Sequence, residues 1–137
     1  MKSMPSIQKY MTAMPHTIGC DLPLKRALDM MREHSIRHLP VQSGGDLVGI
    51  LTDRDVKLAS SFSDATKLTV EDVMSPDPYT VSIDATIDQV ALEMAEHKYG
   101  CAIIMQTNGK LVGIFTATDG LRVLGEILQK NYNARPE

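Results

Sequence analysis

The chain is written twice. Leu47-Val48-Gly49-Ile50-Leu51-Thr52-Asp53-Arg54-Asp55 returns 64 residues later as Leu111-Val112-Gly113-Ile114-Phe115-Thr116-Ala117-Thr118-Asp119. Laid over itself, the sequence matches at an offset of 63 before residue 41 and 64 after it, one residue being added in the second copy's turn. A period of this length indicates one supersecondary unit used twice. A unit of roughly 60 residues can bury only a limited fraction of its surface alone. The two copies are therefore expected to share one domain, with repeat 1 in residues 1–66, counting a lead-in segment and a linker, and repeat 2 in residues 67–137.

Within each copy the same elements follow in the same order. Ser6 to Met11 and Thr69 to Met74 read as one or two helical turns, broken after by Pro15 and Pro78. Thr17-Ile18-Gly19 and Thr80-Val81-Ser82 read as short extended pieces. Leu24, Ala27, Leu28 and Met31 follow the i, i+3, i+4, i+7 spacing of one helical stripe, and Ile87, Val90, Ala91 and Met94 repeat it. Thr86-Ile87-Asp88-Gln89 fits a capping box, and Pro23 suits a first helical turn. Two hairpins follow: His38 to Leu51 around Gly44-Gly45, and Ala102 to Phe115 around Asn108-Gly109. Second helices are expected over Val56 to Ser60 and Leu121 to Leu128, a linker over Ser60 to Lys67, and a frayed end from Asn131 to Glu137. Each half is thus β-α-β-β-α, and the predicted class is α+β in layers: two such repeats packed sheet to sheet with pseudo-twofold symmetry.

The repeated motif orders its chemistry along one edge. A strand glycine lets another backbone or a ligand come close. A helix start carries unpaired N–H groups and a partial positive charge that suit an anion. An Asp one turn in can accept hydrogen bonds from neutral hydroxyls, as on a ribose. The competing explanation is plain capping, with Thr at N-cap and Asp at N3 steadying any helix start.

Composition closes several routes. The formal net charge is −3, with six aromatic residues and no Trp, so nothing favours nucleic acid. No apolar run approaches the roughly 20 residues of a membrane span, and the N-terminus lacks a signal peptide's apolar core. Two cysteines, Cys20 and Cys101, make no disulfide framework. A cytoplasmic protein without membrane or nucleic-acid partners is expected. His16, His34 and His97 lack the spacing of a zinc site, and Cys101 has no base partner in sequence. With no nucleophile–base pair, metal cluster or glycine-rich phosphate loop, no catalytic or metal residues are assigned, and an enzyme is not expected.

Ile36-Arg37-His38-Leu39-Pro40-Val41, Gly49 to Asp55 and Gly113 to Asp119, set at matching distances from two helices, resemble a tandem pair of CBS (cystathionine-beta-synthase) domains, the Bateman module. The resemblance runs from about Ser6 to Gln129. It implies a regulatory module that binds adenosine-containing ligands such as AMP, ADP or ATP, with Mg2+ if ATP, requires no cofactor, and controls a partner protein. Carried over by position, Asp55 and Asp119 resemble the carboxylates that hold ribose hydroxyls, and Thr52 and Thr116 the hydroxyls near ribose or phosphate. Thr17-Ile18 and Thr80-Val81 match strands lining the adenine pocket, with Leu39-Pro40 and Ala102-Ile103 as its other wall. Arg37 and His38 stand where basic residues of phosphate-binding modules often lie, and Arg54 could add to them. In the second copy Gly100, Cys101 and Thr118 replace them, with Lys98 nearby, so the two clefts should differ in charge. Two alternatives remain: an S-adenosylmethionine or NADH sensor, and a pure dimerisation module with vestigial clefts. A homodimer is expected in each case, helped by the apolar stripe of Leu121, Leu124 and Leu128.

Overall fold

Two residues at the start of each repeat decide how the chain is assembled. In the computed structural model, which describes residues 2–132, β1 (Thr12–Ala13) lies far along the chain from its partner β8 (Leu111–Thr116). They pair antiparallel, Thr12 opposite Ile114 and Ala13 opposite Gly113. The equivalent strand of the second repeat, β5 (Ser75–Pro76), pairs antiparallel with β4 (Asp46–Thr52), Gly49 opposite Pro76 and Ile50 opposite Ser75. Each repeat's lead-in thus completes the sheet of the other. The first sheet has the order β2-β3-β4-β5, where β2 is Ile18–Gly19 and β3 is His38–Ser43. The second has the order β1-β8-β7-β6, where β6 is Thr80–Ser82 and β7 is Cys101–Met105.

The class is α+β, as the repeat implies, and the helices fall where the apolar spacing places them. These are α1 (Leu24–His34), α2 (Asp53–Phe62), α3 (Val70–Val73), α4 (Ile87–His97) and α5 (Ala117–Asn131). Leu24, Ala27 and Met31 of α1 join Ile18, Leu39, Val41, Leu51, Val56 and Val70 in one buried cluster. Ile87, Val90 and Met94 of α4 join Ile7, Ala102, Ile104, Phe115 and Val123 in another. Val70 and Ile7, both 0% exposed, come from the exchanged lead-ins; burying such a side chain stabilises by about 1.5–3 kcal/mol. The compact units consequently cross the repeat boundary at residues 66 and 67. One takes the chain up to Ala13 with Tyr79–Asn108 and the chain from Val112 on; the other takes Met14–Pro78 with Gly109–Leu111.

The motif glycines are explained by this exchange rather than by close approach of a ligand. A Cβ on Gly49 would stand 2.6 Å from Met74 Sδ and 2.8 Å from the Ser75 carbonyl oxygen of the incoming lead-in. A Cβ on Gly113 would overlap the side chain of Met11, the residue equivalent to Met74.

Smaller differences concern caps and ends. Thr86 is the N-cap of α4, but its side chain makes no capping bond, so Thr86 to Gln89 is not a capping box. The Asp72 carboxylate instead accepts the Thr69 N–H at 2.9 Å ahead of α3. Pro23 is the extended N-cap of α1, one residue before its first turn. α2 runs on to Phe62 into the expected linker, and α5 reaches Asn131, while residues 133–137 of the expected frayed end lie outside the described residues. No helix of the described residues is long and apolar enough to cross a membrane.

Candidate functional site

Both Thr-x-x-Asp motifs stand where the return strand of a hairpin runs into a helix. In the first repeat the β3–β4 register sets His38 opposite Thr52, and the Asp53 N–H donates to the Arg37 carbonyl at 2.9 Å. The second repeat repeats the bond, the Ala117 N–H donating to the Gly100 carbonyl at 2.9 Å. Main-chain pairing therefore fixes position 37 or 100 beside the helix start whatever side chain it carries. β2 runs parallel to β3 with Ile18 opposite Val41, which carries Thr17 toward the same end of the sheet. Thr17, Arg37, His38, Thr52, Arg54 and Asp55 are thus gathered at one junction. Thr80, opposite Ile103, enters the second junction in the same way, near Thr116, Thr118 and Asp119.

The apolar members of the expected pocket divide by the strand period of two. Ile18, Leu39 and Ala102 lie in the buried clusters, and Val81 packs against the second, so these side chains serve the cores. Pro40 and Ile103 are also fully buried but alternate with core residues, which places them on the opposite face of their sheets.

The two carboxylates differ sharply in their surroundings. At the first junction Thr52 Oγ1 accepts the Asp55 N–H at 3.2 Å, so Thr52 caps α2. The half-buried Asp55 carboxylate itself takes no hydrogen bond or ion pair among the described residues. No buried side-chain oxygen or nitrogen among those residues lacks a partner, so the Asp55 oxygens reach solvent. Arg37 and Arg54 are exposed there and make no side-chain bond among the described residues, whereas Lys57 pairs with Asp53 at 3.4 Å. At the second junction Thr116 Oγ1 accepts the Asp119 N–H at 3.2 Å, and Asp119 Oδ2 accepts the Thr116 N–H at 2.9 Å. Asp119 Oδ1 accepts Arg122 Nη2 at 3.1 Å, and Asp119 is only 8% exposed. Both its oxygens are engaged. Cys101, standing where His38 stands in the first copy, is buried, and burial pushes its thiol up to about 11, so it stays protonated at neutral pH.

Two ring stacks beside the entering strands were not anticipated. His16 stacks on His34 with centroids 3.8 Å apart. At the equivalent positions, Tyr79 and His97 flank Tyr99, with centroid distances of 4.7 and 5.2 Å. Each stack clasps the segment entering β2 or β6 against the C-terminal end of the helix that follows. The Tyr79 hydroxyl donates to Glu93 at 3.1 Å, and burial together with that carboxylate pushes it up to about 12. The signal was present in the sequence: His16 with Tyr79 and His34 with His97 recur at the offset of 63.

Comparison with known proteins agrees with the repeat. The CBS domain family model matches residues 7–61 and 70–126. Inosine-5'-monophosphate dehydrogenase of Korarchaeum cryptofilum is 38% identical over 103 residues, which are 75% of this chain and 21% of that protein. The chain thus spans about a fifth of the length of that enzyme. Among solved structures, a putative acetoin utilization protein (AcuB) from Vibrio cholerae superposes with a TM-score of 0.84 at 29% identity, over 98% of this chain and 100% of that one. CBSX2 of Arabidopsis thaliana, solved in complex with AMP, gives 0.76 at 25% identity, over 89% and 97%. The CBS domain pair of protein MJ0100, solved with 5-methylthioadenosine and S-adenosyl-L-methionine, gives 0.80 at 25% identity, over 91% and 99%. With both repeats matched and the whole described fold shared, the chain belongs to the CBS domain family as a tandem pair.

Proposed function

We propose that the chain is a regulatory module that binds an adenosine-containing nucleotide of the AMP, ADP or ATP type and thereby controls a partner protein. The observation that carries this reading is the first junction: a solvent-reaching Asp55 carboxylate beside the capped start of α2, with Arg37 and Arg54 nearby, none of the three side chains paired among the described residues. A carboxylate can accept both hydroxyls of a ribose, and guanidinium groups suit phosphate oxygens. The AMP complex of the similar CBSX2 supports the choice of ligand class. When ATP is the ligand, Mg2+ would accompany its phosphates. The MJ0100 pair, which holds 5-methylthioadenosine and S-adenosyl-L-methionine, favours a second reading in which the ligand carries a sulfonium or thioether in place of phosphate.

A thermal-shift series with AMP, ADP, ATP, S-adenosylmethionine and NADH separates these readings. Ligand at 100 times its Kd adds about 2.7 kcal/mol of stability, a rise of several degrees in Tm. The rise is expected with the adenine nucleotides. A rise with S-adenosylmethionine alone selects the second reading, and none with any of them leaves an assembly module.

The same reading includes a homodimer. Leu121, Leu124 and Leu128 are 70%, 53% and 46% exposed along α5, an apolar stripe for a second copy to cover. Light scattering is expected to give twice the 15.1 kDa chain mass, and a value of 15.1 kDa at micromolar concentrations contradicts it.

A further inference from the structure

The repeat makes each residue near the second junction a control for its counterpart near the first. Arg122, whose guanidinium holds Asp119 Oδ1 at 3.1 Å, lies 64 residues after Leu58, which is 58% exposed and offers Asp55 no charge. Three residues along a helix bring side chains together, so position 58 or 122 decides whether the motif carboxylate is met by a cation of its own chain. Thr116 N–H takes the other Asp119 oxygen at 2.9 Å, which leaves a ribose the remaining lone pairs of two oxygens already engaged. A ligand at that junction must displace Arg122 or share the carboxylate with it. At Asp55 it meets neither competitor.

We propose that Arg122 ranks the two junctions, acting as an internal competitor for Asp119 so that an adenosyl ligand fills the Asp55 junction first. This rests on the adenosyl-ligand reading above. Arg122 is a positioning and selectivity residue here, not a ligand contact. Its side chain is 57% exposed, so the pair is of the screened, partly solvated kind and shifts affinity by up to about fivefold. The burial of Asp119 widens the gap between the junctions further.

The test is calorimetric titration of the full chain with ATP, and in parallel with adenosine, for the wild type, Arg122→Met and Leu58→Arg. Methionine keeps the unbranched stem and helix preference of arginine without its charge. The wild type is expected to show two events, the second at least about tenfold weaker. Arg122→Met should tighten the second event by up to about fivefold with both ligands, and Leu58→Arg should weaken the first by a similar factor. With adenosine, which carries no phosphate for Arg37 and Arg54 to hold, raising the salt should narrow the wild-type gap and leave that of Arg122→Met unchanged. A second event unmoved in Arg122→Met, while Asp55→Ala still lowers the first, overturns the proposal and spares the reading beneath it. Weaker ATP but unchanged adenosine in Arg122→Met also overturns it, since Arg122 would then grip phosphate. No binding by any of the three proteins overturns both. Leu58→Arg changes an exposed position, so its result stands even if Arg122→Met perturbs α5.

Discussion

Asp55→Ala is expected to weaken ATP binding 10- to 100-fold while leaving the free protein almost as stable as before. Hydrogen bonds to a charged acceptor are worth about 1.5–3 kcal/mol, which converts to that range. The Asp55 carboxylate makes no bond within the described structure, so its removal costs the fold only a helix-dipole contribution of about 0.3–1 kcal/mol. Asp119→Ala should behave the other way. It removes the acceptor of the Thr116 N–H and the partner of Arg122, a loss of about 0.5–2 kcal/mol in stability with a smaller effect on affinity. Asparagine at position 55 keeps an acceptor without the charge and should fall between aspartate and alanine. Titration calorimetry beside urea unfolding reads both quantities for each variant. Unchanged affinity in Asp55→Ala would reduce the first junction to a helix start.

Gly49→Ala is the substitution expected to damage the fold most for its size. The added methyl meets the Ser75 carbonyl oxygen at 2.8 Å, and that atom is main chain held in the β4–β5 pairing. Overpacking of this kind typically costs about 1–3 kcal/mol, and here a strand must shift to relieve it. Gly113→Ala meets only the flexible side chain of Met11 and should cost less. Combining it with Met11→Ala should recover part of the loss, a coupling that a double-mutant cycle measures directly. Met74→Ala should rescue Gly49→Ala poorly, because the carbonyl remains. Equal costs for the two glycine variants would contradict the main-chain explanation.

The helices and hairpins were legible because their signals are local. A stripe such as Leu24, Ala27 and Met31 declares a helix within three turns, and Gly44-Gly45 declares a turn from residue type alone; both glycines have positive φ, 58° and 89°. The exchange of lead-ins was not legible. Thr12-Ala13 and Ser75-Pro76 are two-residue strands with no periodicity, and their partners lie far along the chain. The motif glycines left backbone and ligand approach both open, because nothing in the sequence shows the segments of Met11 and Met74 arriving over them. At the site, repetition showed where the two carboxylates stand but concealed that they differ. Thr-x-x-Asp is the same string in both copies, yet Asp119 closes a capping box and Asp55 does not. The clue lay outside the motif, in the change from Leu58 to Arg122 three residues on.

Whether the Asp55 carboxylate holds a ribose is measured most directly by comparing ATP with its 2′,3′-dideoxy analogue on wild type and Asp55→Ala. The analogue keeps the adenine and phosphates and removes only the two hydroxyls. It is expected to bind the wild type about 10- to 100-fold more weakly than ATP and to lose little more on Asp55→Ala, since the same bonds are missing already. Equal affinities of the wild type for the two nucleotides, or an analogue that loses as much as ATP on Asp55→Ala, would contradict a ribose held by Asp55.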